Sequence, residues 1–202
     1  MEFIHMKILV LFAHPAFQKS RVNKMLVDGL SETEGVTFHD LYQEYPELEI
    51  NVKREQELLL EHDVIMFQFP LFWYSTPAIL KEWQDLVLEH GWAFGSKGDS
   101  LKDKLFLCSV TAGGPRQAYQ EGNFHNHTIN QLLSPLRQTS VLCKMKPLPP
   151  FVVHGTHAIE TDEILDAKND LLKLLDLLMN SEINLEAAGK YEYINEYLSN
   201  QN

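Results

Sequence analysis

KILVLFAHPAFQKSRVNKML, residues 7–26, carries three local signals in succession. Residues 7–12 form a short aliphatic run, which is typical of a fully buried strand. A polar loop follows, and then Val22, Met25 and Leu26 recur at helical spacing. The chain therefore opens with a strand, a loop and a helix.

Strand and helix signals continue to alternate up to residue 179. Further apolar runs predict strands at residues 36–41, 64–69, 105–110 and 141–145. Amphipathic spacing predicts helices at residues 52–62, 78–88, 129–136 and 163–179. Strands separated by helices of this length require right-handed crossovers, so the sheet is parallel and helices cover both of its faces. The sequence thus predicts an α/β, doubly wound, five-stranded sheet.

A single domain over residues 6–180 accounts for all of these elements. Residues 1–5 precede a second methionine, Met6, and are expected to form an N-terminal extension. Residues 181–202 are expected to form a mobile C-terminal tail, and the KPLPP run at 146–150 must be extended because it is rich in proline. Ligands of such sheets bind beyond the carboxyl ends of the strands, so functional residues are expected after strands one, three and four.

The composition narrows the classes of function. The chain has 202 residues, of which 45% are hydrophobic and 22% are charged, as in ordinary globular proteins. Its formal charge of −11 would repel a phosphate backbone, so nucleic acid is not an expected partner. Cys108 and Cys143 lie in runs that are predicted as strands, which indicates buried, reduced thiols. No apolar stretch has the length of a transmembrane helix, so we expect a cytoplasmic protein.

The loop after the first strand favours phosphate binding. Ser20 suits the N-cap of the following helix, whose free N–H groups and positive dipole end could hold a phosphate, with Ser20 and Asn23 as side-chain donors. Ser20 could equally serve only as a cap. The GxxxxGK(S/T) and GxGxxG patterns of other nucleotide sites are absent from this loop.

The loops after strands three and four favour a planar ligand. Residues 69–78, FPLFWYSTPA, place four aromatic rings at the ligand end of the sheet, where flat side chains could enclose a heterocycle. The same rings could instead form a surface for self-association. After strand four, the pair Gly113 and Gly114 lets backbone N–H groups approach a ligand without an intervening Cβ, although such a pair alone predicts only a tight turn.

Three motifs in this order resemble the NAD(P)H:quinone reductase family, which has a flavodoxin-like fold. They are HPAFQKSRVN at residues 14–23, PLFWYSTPAILKEW at 70–83 and TAGG at 111–114. The chain is most similar to the small members that accompany Kef-type glutathione-gated potassium efflux systems, also known as general stress or modulator of drug activity proteins. The resemblance covers residues 6–180 and implies the strand order 2-1-3-4-5.

This resemblance also implies bound flavin mononucleotide (FMN), with the adenine dinucleotide form (FAD) left open, and NAD(P)H as co-substrate. By the family pattern, the phosphate end of the flavin would be held by His14, Ser20, Arg21, Val22 and Asn23. The isoalloxazine would be lined by Pro70, Leu71, Phe72 and Trp73, with Thr111, Gly113 and Gly114 on its pyrimidine side.

Tyr119 and His125 are candidate catalytic residues. They follow Gly114 at the spacing of a tyrosine and a histidine that larger quinone reductases place beside the flavin. A phenol or imidazole within hydrogen-bond reach can stabilise or protonate the negative charge that hydride transfer creates. Alternatively, Tyr119 only stacks over the pocket and His125 lies in an exposed loop. Histidine pairs such as His125 with His127 are more often solvated than ligating, so no metal site is predicted.

The resemblance implies the activity of an NAD(P)H dehydrogenase (quinone). The nicotinamide and a quinone or similar acceptor would occupy one pocket in turn, which is a ping-pong cycle. The competing hypothesis is a non-catalytic regulatory subunit of a glutathione-gated potassium efflux transporter, bound peripherally at the inner face of the cell membrane. The preference for NADH or NADPH is left open by the sequence.

The resemblance further implies a homodimer in which the partner completes the pocket. Trp83, Trp92 and Phe94 are the candidate interface residues. Ordinary packing in the core of one subunit is the alternative for these rings.

Overall fold

The computed structural model describes residues 5–201, and a parallel sheet forms their centre. The strands are β1 (Ile8–Phe12), β2 (Val36–Asp40), β3 (Val64–Pro70), β4 (Leu105–Thr111), β5 (Lys146–Pro147) and β6 (Phe151–Val153). Their order is β2-β1-β3-β4-β5, with β6 also paired to β4. The predicted doubly wound sheet and its order 2-1-3-4-5 are thereby confirmed.

Helices cover both faces of this sheet. They are α1 (Arg21–Val27), α2 (Leu41–Glu44), α3 (Val52–Glu61), α4 (Ala78–Val87), α5 (Ile129–Leu132), α6 (Ser134–Leu142), α7 (Thr161–Met179), α8 (Leu185–Ala188) and α9 (Ile194–Ser199). Because side chains alternate along a strand, Ile8 and Val10 pack with α1 and α7 while Leu9 and Leu11 pack with α3 and α4. Two apolar cores result, one on each side of the sheet.

The predicted fifth strand at residues 141–145 is wrong. Val141 and Leu142 end helix α6, and Lys144 turns the chain with a φ of 61°. The edge position is shared instead by β5 and β6, which the KPLPP run separates. Proline lacks the N–H that continuous pairing needs, so the edge strand is formed in two short pieces. Cys143 accordingly lies beyond α6 and not in a strand, although it is a buried, free thiol as expected.

The expectation that the chain is mobile after residue 180 is also wrong. Helices α8 and α9 pack back onto the domain, and Ile194, Tyr197 and Leu198 are buried in the same core as β1. The side chain of Asn195 pairs with the edge strand: its Oδ1 accepts from Val152 N at 2.9 Å and its Nδ2 donates to Val152 O at 3.3 Å. An apolar face and an amide that satisfies the sheet edge together hold this segment in place.

The aromatic residues predicted for a dimer interface lie outside the sheet. Trp83 is not an interface residue, because it is 1% exposed and its indole N–H donates to Glu55 Oε2 at 2.8 Å. Trp92 and Phe94 are half-buried against the same core.

Of the predicted N-terminal extension, residues 1–4 lie outside the described residues. Across residues 5–201, no helix has the length and apolar composition that crossing a bilayer requires.

Candidate functional site

The carboxyl ends of the strands meet at one edge of the sheet. In the parallel register Phe12 is opposite Gln68, and Pro70 is opposite Thr111. The loops after β1, β3, β4 and β6 therefore surround a single cleft of about 640 Å³. Its lining comprises His14, Ala16, Lys19, Ser20, Arg21, Val22, Asn23, Pro70, Leu71, Phe72, Trp73, Tyr74, Thr111, Gly113, Gly114, Tyr119, His125, Thr156 and His157. The residues that the resemblance assigned to the flavin, together with Tyr119 and His125, all line this cleft.

Asn23 ties the loop after β1 to the ends of β3 and β4. Ser20 caps α1 by accepting from Asn23 N at 3.2 Å. The side-chain Nδ2 of Asn23 donates to Thr111 Oγ1 at 3.1 Å, and its Oδ1 accepts from Gln68 Nε2 at 3.2 Å. Gln68, a polar residue within an otherwise apolar strand, is fully buried beneath this network. The polar exception in β3 thus supports the floor of the cleft.

The start of α1 gives this end of the cleft a positive character. The first N–H groups of a helix have no intrahelical partner, so those of Arg21 and Val22 are free to bind an anion. Lys19 and Arg21 are exposed at the rim, in a chain whose overall charge is negative. The guanidinium of Arg21 also donates to Ile159 O, which links the loops after β1 and β6. This end of the cleft is therefore suited to a phosphate.

His14 connects the phosphate end to the aromatic loop. Its Nδ1 accepts from Ala16 N at 3.1 Å, so the neutral ring carries its proton on Nε2. Burial lowers the pKa of His14 below its usual range, partly offset by a backbone hydrogen bond. The imidazole meets the ring of Phe72 edge-on, with 5.6 Å between the ring centroids. His14 is thus a neutral donor between the two loops.

The aromatic loop makes a strained tight turn at residues 72–75. Ser75 N donates to Phe72 O at 3.0 Å, while Trp73 and Tyr74 both have left-handed backbones, with φ of 48° and 65°. Asparagine and glycine are the usual residues in such a turn, and bulky side chains are disfavoured there. The turn leaves Trp73 93% exposed at the cleft. Phe69, by contrast, belongs to the core, so only three of the four predicted rings reach the site.

Tyr119 and His125 stack in the loop after β4. Their ring centroids are 4.2 Å apart with an angle of 18° between the planes. A Cβ on Gly114 would lie 2.9 Å from His125 Nε2 and 3.2 Å from a ring carbon of Tyr119, so glycine is required for this packing. Tyr74 holds the other side of the imidazole, since its hydroxyl lies 3.3 Å from His125 Nδ1.

The environment of Tyr119 keeps its phenol protonated. The side chain is 5% exposed, and burial raises its pKa, with a backbone hydrogen bond from Gly114 acting in the opposite direction. A neutral phenol in a shielded position can donate a hydrogen bond to negative charge. His127 only approaches His125 O, and residues 5–201 contain no group of three or more His, Cys, Asp and Glu placed to hold a metal.

Sequence reasoning missed part of the cleft wall. Thr156 and His157 follow β6, and they were not predicted because the fifth strand was placed too early in the chain. A Cβ on Gly113 would lie 2.5 Å from His157 Nε2, so that glycine also makes room for a side chain from this loop. The apolar FVV run directly after KPLPP was the available signal.

Comparison with known protein families and sequences gives a consistent result. A model of the family described as having a flavodoxin-like fold matches residues 6–175. General stress protein 14 of Bacillus subtilis (strain 168) is 47% identical over 79% of this chain and 91% of its own length. The uncharacterized NAD(P)H oxidoreductase YrkL of the same organism is 43% identical over 86% of this chain and 98% of its own. The glutathione-regulated potassium-efflux system ancillary protein KefG of Cronobacter sakazakii is 42% identical over 78% and 86%.

Solved structures show the same likeness. General stress protein 14 of Treponema denticola, determined in complex with FMN, is 36% identical with a TM-score of 0.81, covering 85% of this chain and 99% of that one. A chain from a structure described as a thermophilic tryptophan halogenase of Streptomycin violaceusniger is 42% identical with a TM-score of 0.79, covering 82% and 96%.

Proposed function

Because the chain belongs to the family of proteins with a flavodoxin-like fold, we propose that it is an FMN-dependent NAD(P)H oxidoreductase that delivers two electrons to a quinone or a similar acceptor. The relatives named as an NAD(P)H oxidoreductase and as an FMN complex support the class of reaction and the cofactor. The halogenase name stands apart from those of the other relatives described above and does not enter the proposal. The observation that carries the proposal is a single cleft formed by four loops. In it, residues suited to binding a phosphate lie together with aromatic residues and glycines.

The residues of the cleft fit FMN at both of its ends. The first turn of α1, Ser20 and the cations at the rim would hold the phosphate. Leu71, Phe72 and Trp73 would line the isoalloxazine, with Thr111, Gly113 and Gly114 on its pyrimidine side. A cavity of about 640 Å³ is of the size that ligand sites commonly have. Bound FMN supplies acceptance of a hydride from the nicotinamide and two-electron reduction of the acceptor.

Tyr119 and His125 supply the proton chemistry of the proposed reaction. The protonated phenol of Tyr119 donates a hydrogen bond to negative charge that develops in the cleft. His125 is fixed by Tyr119 on one face and by Tyr74 at Nδ1, so that its ring is held at the wall of the cleft. The exposed ring of Trp73 would shield the mouth of the cleft from water if a planar molecule lay beneath it.

The donor and the acceptor share this one cleft. Since both would bind against the same wall of residues 70–74, the first product leaves before the acceptor enters. Double-reciprocal plots of the initial rate against the concentration of NAD(P)H, at several fixed acceptor concentrations, are therefore expected to give parallel lines. Intersecting lines would contradict the shared cleft.

The test of the proposed function is the visible absorption spectrum of the purified protein. The protein is incubated with excess FMN, desalted, and then treated anaerobically with NADPH or NADH. A retained flavin band that bleaches with pyridine nucleotide supports the proposal and identifies the preferred donor. A protein that remains colourless after desalting contradicts it.

The likeness to KefG supports a second role, as the ancillary subunit of a potassium efflux transporter on the cytoplasmic side of a membrane. This role and the enzymatic one separate at Tyr119. Replacement of Tyr119 by Phe should reduce electron transfer but leave binding to a transporter unchanged, as measured by co-purification with and without the substitution.

A homodimer is also part of the proposal, with Trp92 and Phe94 half-buried near its expected interface. Sedimentation of the purified protein measures its oligomeric state.

A further inference from the structure

The loop that carries Tyr119 and His125, residues 115–128, is attached to the C-terminal segment, residues 189–199. Near its start, the guanidinium of Arg116 donates to Glu192 Oε2 at 3.1 Å and to Glu196 Oε1. Beyond its end, Asn130 Nδ2 donates to the backbone O of Glu192 at 3.0 Å. Both ends of the loop are therefore fastened to a single short segment that lies outside the 6–175 range matched by the family model.

Aromatic contacts continue from this attachment to the stacked pair. Arg116 lies over the ring of Tyr193, with 4.8 Å from its central carbon to the ring centroid. The ring centroids of Tyr193 and His154 are 5.5 Å apart, and those of His154 and Tyr119 are 5.8 Å apart. Burial lowers the pKa of His154 to about 4, helped by the nearby charge of Arg116. At neutral pH an uncharged ring thus fills the space between the C-terminal segment and Tyr119.

The C-terminal segment has a firm base of its own. Ile194 N donates to Pro150 O at 3.0 Å, and Asn195 pairs with Val152 in β6. The side chains of Ile194, Tyr197 and Leu198, in this segment, are buried in the domain core. The two carboxylates that accept hydrogen bonds from Arg116 therefore belong to a segment that is anchored to the sheet. The loop of residues 115–128, by contrast, contains only turns and a short 3₁₀ helix.

We propose that Arg116 is a positioning residue, which through Glu192 and Glu196 holds the loop of residues 115–128 so that Tyr119 and His125 stay stacked against Gly114. The effect on the reaction rests on the proposed oxidoreductase function, whereas the effect on the loop does not. Positioning of this kind acts on turnover and leaves the phosphate end of the cleft, on α1, unchanged.

Three variants and one control test this inference. Arg116→Gln and the double variant Glu192→Gln with Glu196→Gln remove the ion pairs, while Arg116→Lys keeps the charge. Lys146→Gln removes the ion pair with Asp103, 2.9 Å long, at the amino ends of β4 and β5, which is the end of the sheet away from the cleft. Hydrogen exchange of residues 116–128 is measured on FMN-free protein. The dissociation constant of FMN, kcat and the thermal midpoint are measured on the same samples.

The loss of a doubly paired but partly exposed guanidinium is expected to increase exchange in the loop about fivefold. In both variants that lack the ion pairs kcat falls, the dissociation constant of FMN stays the same, and Arg116→Lys restores most of kcat. Lys146→Gln leaves all of these values unchanged. Unaltered exchange in Arg116→Gln overturns the inference whether or not the protein binds FMN, and faster exchange with an unaltered kcat overturns the link to the reaction. A wild-type protein that binds no FMN contradicts the proposed function instead.

Discussion

At the scale of single residues, Tyr119 is the side chain at which the removal of one atom is most informative. Tyr119→Phe keeps the stack on His125 but removes the phenolic hydroxyl, so kcat with a quinone acceptor is expected to fall about a hundredfold. FMN binding, measured by fluorescence titration, should be unchanged. Tyr42→Phe, in α2 and away from the cleft, is the matched control and should keep full activity. An unchanged kcat in Tyr119→Phe would leave His125 as the remaining proton donor.

Glu55 is a buried carboxylate that serves the fold rather than the cleft. It accepts from Tyr45 at 2.5 Å and Trp83 at 2.8 Å and lies 2.9 Å from His39 Nε2. Glu55→Gln places an amide N–H₂ among these donors and is expected to lower the free energy of unfolding by about 3 kcal/mol. Glu57→Gln, on the exposed side of the same helix, should cost less than about 0.5 kcal/mol. Urea denaturation at neutral pH measures both.

The pH dependence of that difference has a definite sign. Burial alone would raise the pKa of Glu55, but the hydrogen bonds from His39, Tyr45 and Trp83 outweigh it, so the pKa lies below the ordinary value of 4.5. The stabilisation is therefore complete above pH 4.5 and is lost as the pH falls through the lower folded-state pKa. The gap between the wild type and Glu55→Gln should narrow in acid; a gap that widens there would contradict this assignment.

At the scale of elements, the turn at residues 72–75 exchanges stability for an exposed aromatic surface. Trp73→Asn relieves a left-handed backbone at a bulky residue, and since Trp73 packs little, the protein should gain about 1 kcal/mol of stability. The KM for a planar acceptor should rise about fivefold, because a stacking contact is lost. Thermal denaturation and steady-state kinetics measure the two effects.

Lys144 offers the matched control for this turn. It has a φ of 61° and lies outside the cleft, so Lys144→Asn should give a similar gain in stability with no change in KM. A Trp73→Asn variant with higher stability and an unaltered KM would mean that the strained turn has no part in acceptor binding.

The elements that the sequence predicted correctly are those with strong apolar patterns. Residues 8–12, 64–70 and 105–111 are buried along their whole length, so an uninterrupted aliphatic run identified them. The prediction of the edge strand was wrong for two reasons. Its two pieces are short and lie beside a run of prolines. In addition, Val141 and Leu142, which are residue types common in strands, continue α6 in partly exposed positions. Local propensity could not decide this, since the pairing partner of an edge strand is distant in sequence.

The cleft was more predictable than the loop that faces it. Ser20, Trp73 and Gly113 lie in the loops that follow β1, β3 and β4, where the topology of a parallel sheet places ligand-binding residues. Thr156 and His157 follow the strand that was misplaced. The pairing of Arg116 with Glu192 and Glu196 joins residues that are far apart in the sequence, and no spacing or periodicity in the chain indicates it.

At the scale of the whole molecule, the sheet is shared by two cores and by the cleft, so ligand binding is coupled to global unfolding. Both faces of β1, β3 and β4 are buried, which favours one cooperative transition. A ligand that binds only the folded state at about a hundred times its dissociation constant adds about 2.7 kcal/mol of stability. For a domain of this size each kcal/mol corresponds to a rise of about 2–4 °C in Tm. FMN is therefore expected to raise Tm by several degrees.

The choice of flavin tests which end of the cleft dominates this coupling. Riboflavin shares the ring of FMN but lacks the phosphate, so it should raise Tm less than FMN at equal concentration. Ser20→Ala removes the hydroxyl at the start of α1 and should reduce the difference between the two ligands. Equal shifts with riboflavin and FMN would place the phosphate outside the α1 end, whereas a larger shift with FAD than with FMN would identify the dinucleotide as the better ligand of this cleft.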